Sequence, residues 1–83
     1  MKLLVFTKKD CPNCPPAKKL AKDLEKDFLV VIYDISEVDS LAEAQFYGVM
    51  STPSLILVDE YDKEIRSWRG TTPSKEEILK YKS

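Results

Sequence analysis

Leu3-Leu4-Val5-Phe6-Thr7-Lys8-Lys9-Asp10-Cys11-Pro12-Asn13-Cys14-Pro15-Pro16-Ala17 is the stretch on which the fold turns. Leu3 to Phe6 is a short run without a polar residue, the pattern of a strand buried on both faces. From about Pro15 to Asp27 the spacing changes. Ala17, Leu20, Ala21, Leu24 and Phe28 fall at i, i+3, i+4, i+7 and i+11, one face of a helix. Lys18, Lys19, Lys22, Asp23 and Lys26 occupy its other sides. Two cysteines therefore stand at a strand-to-helix junction.

Outward from this stretch, Phe28-Leu29-Val30-Val31-Ile32-Tyr33 reads as a second buried strand, rich in β-branched and aromatic residues. Two strands flanking a helix form a βαβ unit, so they are expected to be parallel. Ser36 to about Tyr47 reads as a second helix. Ser36 or Asp39 is its expected cap, Val38, Leu41, Ala42 and Phe46 its inward face, and Gly48 its end. Ser54 to Val58 is a third strand. After the polar turn Asp59-Glu60-Tyr61-Asp62, Glu64 to Trp68 returns as its antiparallel partner. Gly70 breaks the chain before a last helix, opened either by Thr72 with Pro73 or by a Ser74–Glu77 capping box. The order βαβαββα makes an α/β fold with a four-stranded mixed sheet flanked by helices. At 83 residues it is expected to be one domain, residues 1–83.

Composition narrows the function. A net charge of −1, from 13 basic and 14 acidic residues, gives no overall attraction to nucleic acid or anionic membrane. The absence of histidine removes Ser-His-Asp and Cys-His nucleophile systems and every histidine metal ligand. No apolar run approaches the roughly 20 residues of a membrane span, and Leu3–Phe6 is too short for a secretory signal. The chain is expected to be cytoplasmic, where a pair of cysteines is a poor candidate for a permanent staple.

Cys11-Pro12-Asn13-Cys14 suits thiol chemistry. The thiolate is the reactive form, and the free N–H groups and positive dipole end of a helix stabilise it. A second cysteine three residues on is close enough to form a disulfide. Lys8 and Lys9 add positive potential here, and Asp10 opposes it. Pro15 and Pro16 remove donors where the helix ladder would start, so regular bonding is expected to begin beyond them. Two other readings stand beside a redox pair. Two cysteines can be half of a zinc or iron–sulfur site, completed by a dimer or by added thiols, or they can be inert buried thiols.

The chain resembles the thioredoxin/glutaredoxin superfamily, and in particular the small single-domain redoxins of archaea and anaerobic bacteria. The resemblance covers almost the whole chain. It rests on Cys11-Pro12-Asn13-Cys14, on Tyr47-Gly48-Val49-Met50-Ser51-Thr52-Pro53-Ser54-Leu55 and on Arg69-Gly70-Thr71. It implies a cis Thr52–Pro53 bond facing the cysteines, and antiparallel pairing of strands one and three agrees with that location. Further implied are catalysis by Cys11 and Cys14 through a reversible disulfide, and a substrate surface of Pro12, Asn13, Thr52, Pro53 and Gly70. No metal or cofactor is expected.

Some positions depart from the relatives. Asp10 stands where thioredoxins usually carry tryptophan, and Pro12-Asn13 replaces Gly-Pro. Apolar Val5 takes the place of a buried acid, so a proton from Cys14 must leave by water or another group. The Gly-Gly and acidic residues that hold glutathione in glutaredoxins are not matched by Arg69-Gly70-Thr71-Thr72. The expected activity is reduction of protein disulfides by a monomer recycled by a thioredoxin-reductase-type flavoprotein. Ribonucleotide reductase and peroxiredoxins are compatible substrates. A glutathione-dependent glutaredoxin and a metal-bridging module are the alternatives. Trp68 is either a core residue or part of the substrate surface.

Overall fold

The computed structural model describes residues 1–82. Its elements run β1 (Lys2–Thr7), α1 (Cys14–Asp23), β2 (Leu29–Asp34), α2 (Val38–Phe46), β3 (Ser54–Val58), β4 (Glu64–Arg69) and α3 (Lys75–Leu79). The strands form one sheet in the order β2-β1-β3-β4, with β1 parallel to β2 and antiparallel to β3, and β3 antiparallel to β4. This is the expected α/β arrangement.

An interior strand must be apolar on both faces, and β1 meets that demand. Leu3 and Val5 join Leu55, Leu57 and Trp68 under α1, where Ala17, Leu20, Ala21, Leu24 and Phe28 pack, with Ile78 of α3 beside them. Leu4 and Phe6 face the other way, with Ile56 and Val58, toward Ala44 of α2 and Val49. Fully burying one such side chain contributes about 1.5–3 kcal/mol, and both cores draw on the same two strands.

Four expectations change, and one open choice closes. β2 is an edge strand rather than a buried one, which leaves Leu29 and Ile32 exposed. Helix α1 stops at Asp23, because Leu24 caps it and the chain turns before Phe28. On α2 the inward residue is Ala44; Val38, Leu41, Ala42 and Phe46 face outward. Ala44 is the one buried residue of the helix and clusters with Leu4, Phe6, Ile56 and Val58 of the sheet, so the helix meets the sheet through a small side chain. Neither Ser36 nor Asp39 caps α2, whose N-cap is Glu37; Ser36 instead accepts the Lys9 N–H and donates its own N–H to Asp34. Trp68 is buried opposite Leu55, which removes it from the substrate surface.

The last helix settles on its second option, with Ser74 Oγ accepting the Glu77 N–H at 3.2 Å. Pro15 and Pro16 cost α1 no bond. The helix begins at Cys14, so both lie in the first turn, where N–H groups have no intrahelical acceptor.

Candidate active site

Strand register builds the site. Phe6 pairs with Ser54 across β1 and β3, so β3 begins where β1 ends. Ser54 in turn pairs with Arg69 at the end of β4. The loop after β1, the segment before β3 and the turn after β4 therefore share one edge of the sheet.

After β1 the chain turns through Asp10, whose φ of 61° is a left-handed conformation that aspartate tolerates better than most residues. Cys11 N–H donates to the Lys8 carbonyl at 3.3 Å, and Cys14 N–H to the Cys11 carbonyl at 3.4 Å. These bonds set Cys11 before the helix and Cys14 on its first turn. The two are joined in a disulfide with Cα atoms 5.4 Å apart. That overturns the reading of two inert thiols. Cys11 is half-buried and lines a cleft, whereas Cys14 is 1% exposed, so Cys11 is the cysteine that other molecules can meet.

Thr52 and Pro53 come to this pair. The peptide bond between them is cis, Pro53 is buried, and Thr52 Oγ1 donates to Cys11 Sγ at 3.6 Å. A cleft of about 410 Å³ opens beside Cys11, lined by Lys8, Lys9, Asp10, Cys11, Pro12, Asn13 and Thr52. Pro12 and Asn13 form its exposed lip. Gly70 stands one layer back. Its φ is +77°, a Cβ there would lie 3.1 Å from Ser51 Oγ, and it is not among the residues lining the cleft.

Two side chains outside the expected site residues brace the chain between α2 and β3. Ser54, fully buried, donates its hydroxyl to the Ser51 carbonyl at 2.7 Å and accepts the Gly70 N–H at 3.2 Å. A serine opening an otherwise apolar strand was the available signal. Arg69 reaches back to donate to the Tyr47 carbonyl at 2.6 Å while pairing with Glu64 at 2.9 Å. The Arg69 hydrogen bond holds the Glu64 carboxyl below its ordinary value, with burial opposing. At the end of β2, the Ser36 N–H lowers Asp34 in the same way, and the charges of Lys18 and Lys9 add to it.

The only buried polar side chains described are Thr7 and Ser54, so no buried carboxylate stands near Cys14 among the described residues. Nor do three or more histidine, cysteine or acidic side chains gather there in a metal-binding group. No described helix is long and apolar enough to cross a membrane.

A family of thioredoxin domains matches residues 1–82. A probable thioredoxin of Archaeoglobus fulgidus is 33% identical over 59 residues, covering 69% of this chain and 65% of that protein. A thioredoxin of Methanocaldococcus jannaschii is 27% identical over 59 residues, 69% of each chain. This chain thus spans about two thirds of the length of the curated relatives it matches. The crystal structure of a reduced thioredoxin pre-protein of Schistosoma mansoni superposes with a TM-score of 0.79 at 18% identity, over 99% of this chain and 78% of that one. At that identity the likeness is one of fold.

Proposed function

The chain belongs to the thioredoxin family, and from that premise we propose that it reduces protein disulfides, with Cys11 attacking and Cys14 resolving. The observation that carries this reading is the asymmetry of the Cys11–Cys14 disulfide, with one sulfur reachable and the other buried beneath it. In the reduced protein the Cys11 thiolate attacks one sulfur of the substrate, forming a mixed disulfide and releasing the other as thiolate. Cys14 then attacks Cys11, the second substrate sulfur departs, and two electrons have passed to the substrate. The proton of Cys14 goes to water or to the departing thiolate, since Val5 offers no carboxylate.

Thr52 and Pro53 form the wall against which an extended substrate strand lies, with Pro12 and Asn13 at the opposite lip. Gly70 permits the close packing that keeps this wall in place. A pair that donates electrons must be returned to the dithiol, which suits a reducing, cytoplasmic setting. A thioredoxin-reductase-type flavoprotein is the recycling partner, and ribonucleotide reductase or a peroxiredoxin is a substrate of fitting chemistry.

Cys14→Ser is expected to accumulate mixed disulfides through Cys11, seen as adducts on non-reducing gels. Equal trapping by Cys11→Ser would reverse the roles. Insulin reduction coupled to NADPH and a flavoprotein reductase is expected to turn over. If only glutathione and its reductase sustain it, the protein is a glutaredoxin in function.

A further inference from the structure

The charge of this protein is unevenly placed. Overall it is −1, yet residues 8–22, which frame the redox pair, hold five lysines and one aspartate. Lys8, Lys9, Lys18, Lys19 and Lys22 are all exposed, and among the described residues none of them joins an ion pair. Elsewhere Lys2, Arg66, Arg69 and Lys82 are each matched to a carboxylate. Lys26, Lys63, Lys75 and Lys80 are also without an ion pair among the described residues, so what sets the stretch around the cysteines apart is the density of its unmatched lysines.

Geometry concentrates it further. Lys8 and Lys9 line the cleft beside Cys11. Lys18 follows Cys14 by one helical turn, about 6 Å along the axis, and its field reaches Asp34 together with that of Lys9. Two of these lysines thus share the cleft with Cys11 and the third stands one turn beyond Cys14, and exposed charges act over a screening length of about 10 Å at 0.1 M salt. Opposing them are Asp10 on the cleft wall and Asp34, which is already engaged by the Ser36 N–H. On the far side, Ser51, Thr52, Gly70, Thr71 and Thr72 carry no charge.

The helix itself contributes less positive character here than a first turn usually does. Pro15 and Pro16 have no N–H to offer. Side chains, not backbone donors, make this edge positive.

We propose that the cleft beside Cys11 is a docking surface for acidic protein segments, so that the favoured substrates are disulfides flanked by aspartate or glutamate. This rests on the disulfide-reductase reading above and assigns its substrate class. A protein occupant, rather than a nucleic acid, follows from where the lysines are, since they surround sulfurs whose reaction partner must itself carry a disulfide. Clefts lined by one sign of charge raise encounter rates by about 10–1,000-fold, most strongly at low salt, and with Asp10 offsetting one lysine the low end of that range applies here.

The test uses three cyclic peptides that share one disulfide and differ only in flanking residues, Glu, Gln or Lys. The pre-reduced protein supplies both electrons, and its own two thiols become the disulfide. Second-order reduction rates are measured at about 0.01 M and about 1 M ionic strength, where screening lengths are about 30 Å and 3 Å. The Glu peptide is expected to react at least about tenfold faster than the Lys peptide at low salt, with the gap closing at high salt. The combined variant Lys8→Gln, Lys9→Gln, Lys18→Gln is expected to lose most of that preference, read as the ratio of Glu-peptide to Lys-peptide rates within the variant, so that any general change in Cys11 reactivity cancels.

Equal rates for the three peptides would overturn the acidic-substrate proposal and leave the reductase reading standing. Persistence of the preference in the triple variant would overturn it also. Failure to reduce any peptide, with two titratable thiols present, would instead refute the reductase reading. If a short oligonucleotide at equimolar concentration blocks reduction of the Glu peptide, the patch is a nucleic-acid site and the proposal falls.

Discussion

Ser54→Ala is the most informative single change, because one oxygen atom serves two partners at the site. Its hydroxyl joins the Ser51 carbonyl at 2.7 Å to the Gly70 N–H at 3.2 Å, and so ties the segment before β3 to the turn after β4. A hydrogen bond contributes about 1 kcal/mol net, and a buried group left without its partner costs about 1–3 kcal/mol. Ser51 and Gly70 are themselves exposed, so water recovers part of the loss. The low end therefore applies, roughly 2 kcal/mol for the two bonds together. For a chain of this length each kcal/mol moves Tm by about 4–8 °C, so Tm is expected to fall by roughly 10 °C. Calorimetry on the oxidised protein reads that shift, and urea unfolding gives the free energy independently. Thr7→Val is the control. It deletes one buried hydroxyl bond, to the Tyr33 carbonyl at 3.2 Å, and is expected to lower stability without lowering the disulfide-reduction rate. Ser54→Ala is expected to lower both. A Tm change within about 2 °C, or an unchanged rate, would show that the Ser51–Gly70 tie does not hold the segment facing Cys11.

Three other changes test different links. Gly70→Ala adds the left-handed penalty of about 1–2 kcal/mol to a Cβ 3.1 Å from Ser51 Oγ, whereas Gly48→Ala at φ +68° meets no atom within 4 Å; urea unfolding should find the first variant less stable than the second. Thr52→Val deletes the donor to Cys11 Sγ, a bond that strengthens when the sulfur is anionic and so favours the reduced pair. About 1 kcal/mol of that preference corresponds to roughly 20 mV, so the potential should become more negative by about that amount, measured against glutathione or dithiothreitol. Glu64 is held below its ordinary value of 4.5 by Arg69, so its contribution to stability is present above that value and is lost as pH falls through the folded-state value. Glu64→Gln should therefore narrow the drop in Tm between about pH 5 and pH 3, and a profile parallel to the parent's would count against the ion pair.

The seven elements were legible because each carries its own period: the unbroken apolar run of β1, the i, i+3, i+4, i+7 face of α1, and the turn residues between β3 and β4. What escaped was the choice among several apolar faces. Helix α2 has large residues at Val38, Leu41 and Phe46 and small ones around Ala44. Size suggested the first set, but packing distance from the sheet selected the second. β2 was misjudged, and Trp68 stayed open between core and surface, because burial depends on strand order, which local pattern does not contain. At the site, Cys11, Cys14, Thr52 and Pro53 were foreseen together, and they do adjoin. Ser54 was not foreseen, since a serine beside a proline reads as a strand boundary rather than as a hydrogen-bonding hub.

A physical consequence follows from how the site is gathered. None of its loops is held to another by a long-range bond stronger than the Ser54 and Thr52 contacts and the Arg69 reach to Tyr47. Their common location comes instead from the register Phe6–Ser54 and Ser54–Arg69 in the sheet below. A slip of one residue would turn Leu55 and Leu57 from the α1 core to the α2 side and expose the strand pattern as wrong on both faces. The register is thus enforced by two hydrophobic cores at once, and the Ser54 and Arg69 bonds add the local fixing of the segments that it brings together. Charged side chains at this edge are not needed to set the register, so Lys8 and Lys9 can line the cleft beside Cys11 without an ion pair in a protein whose net charge is −1.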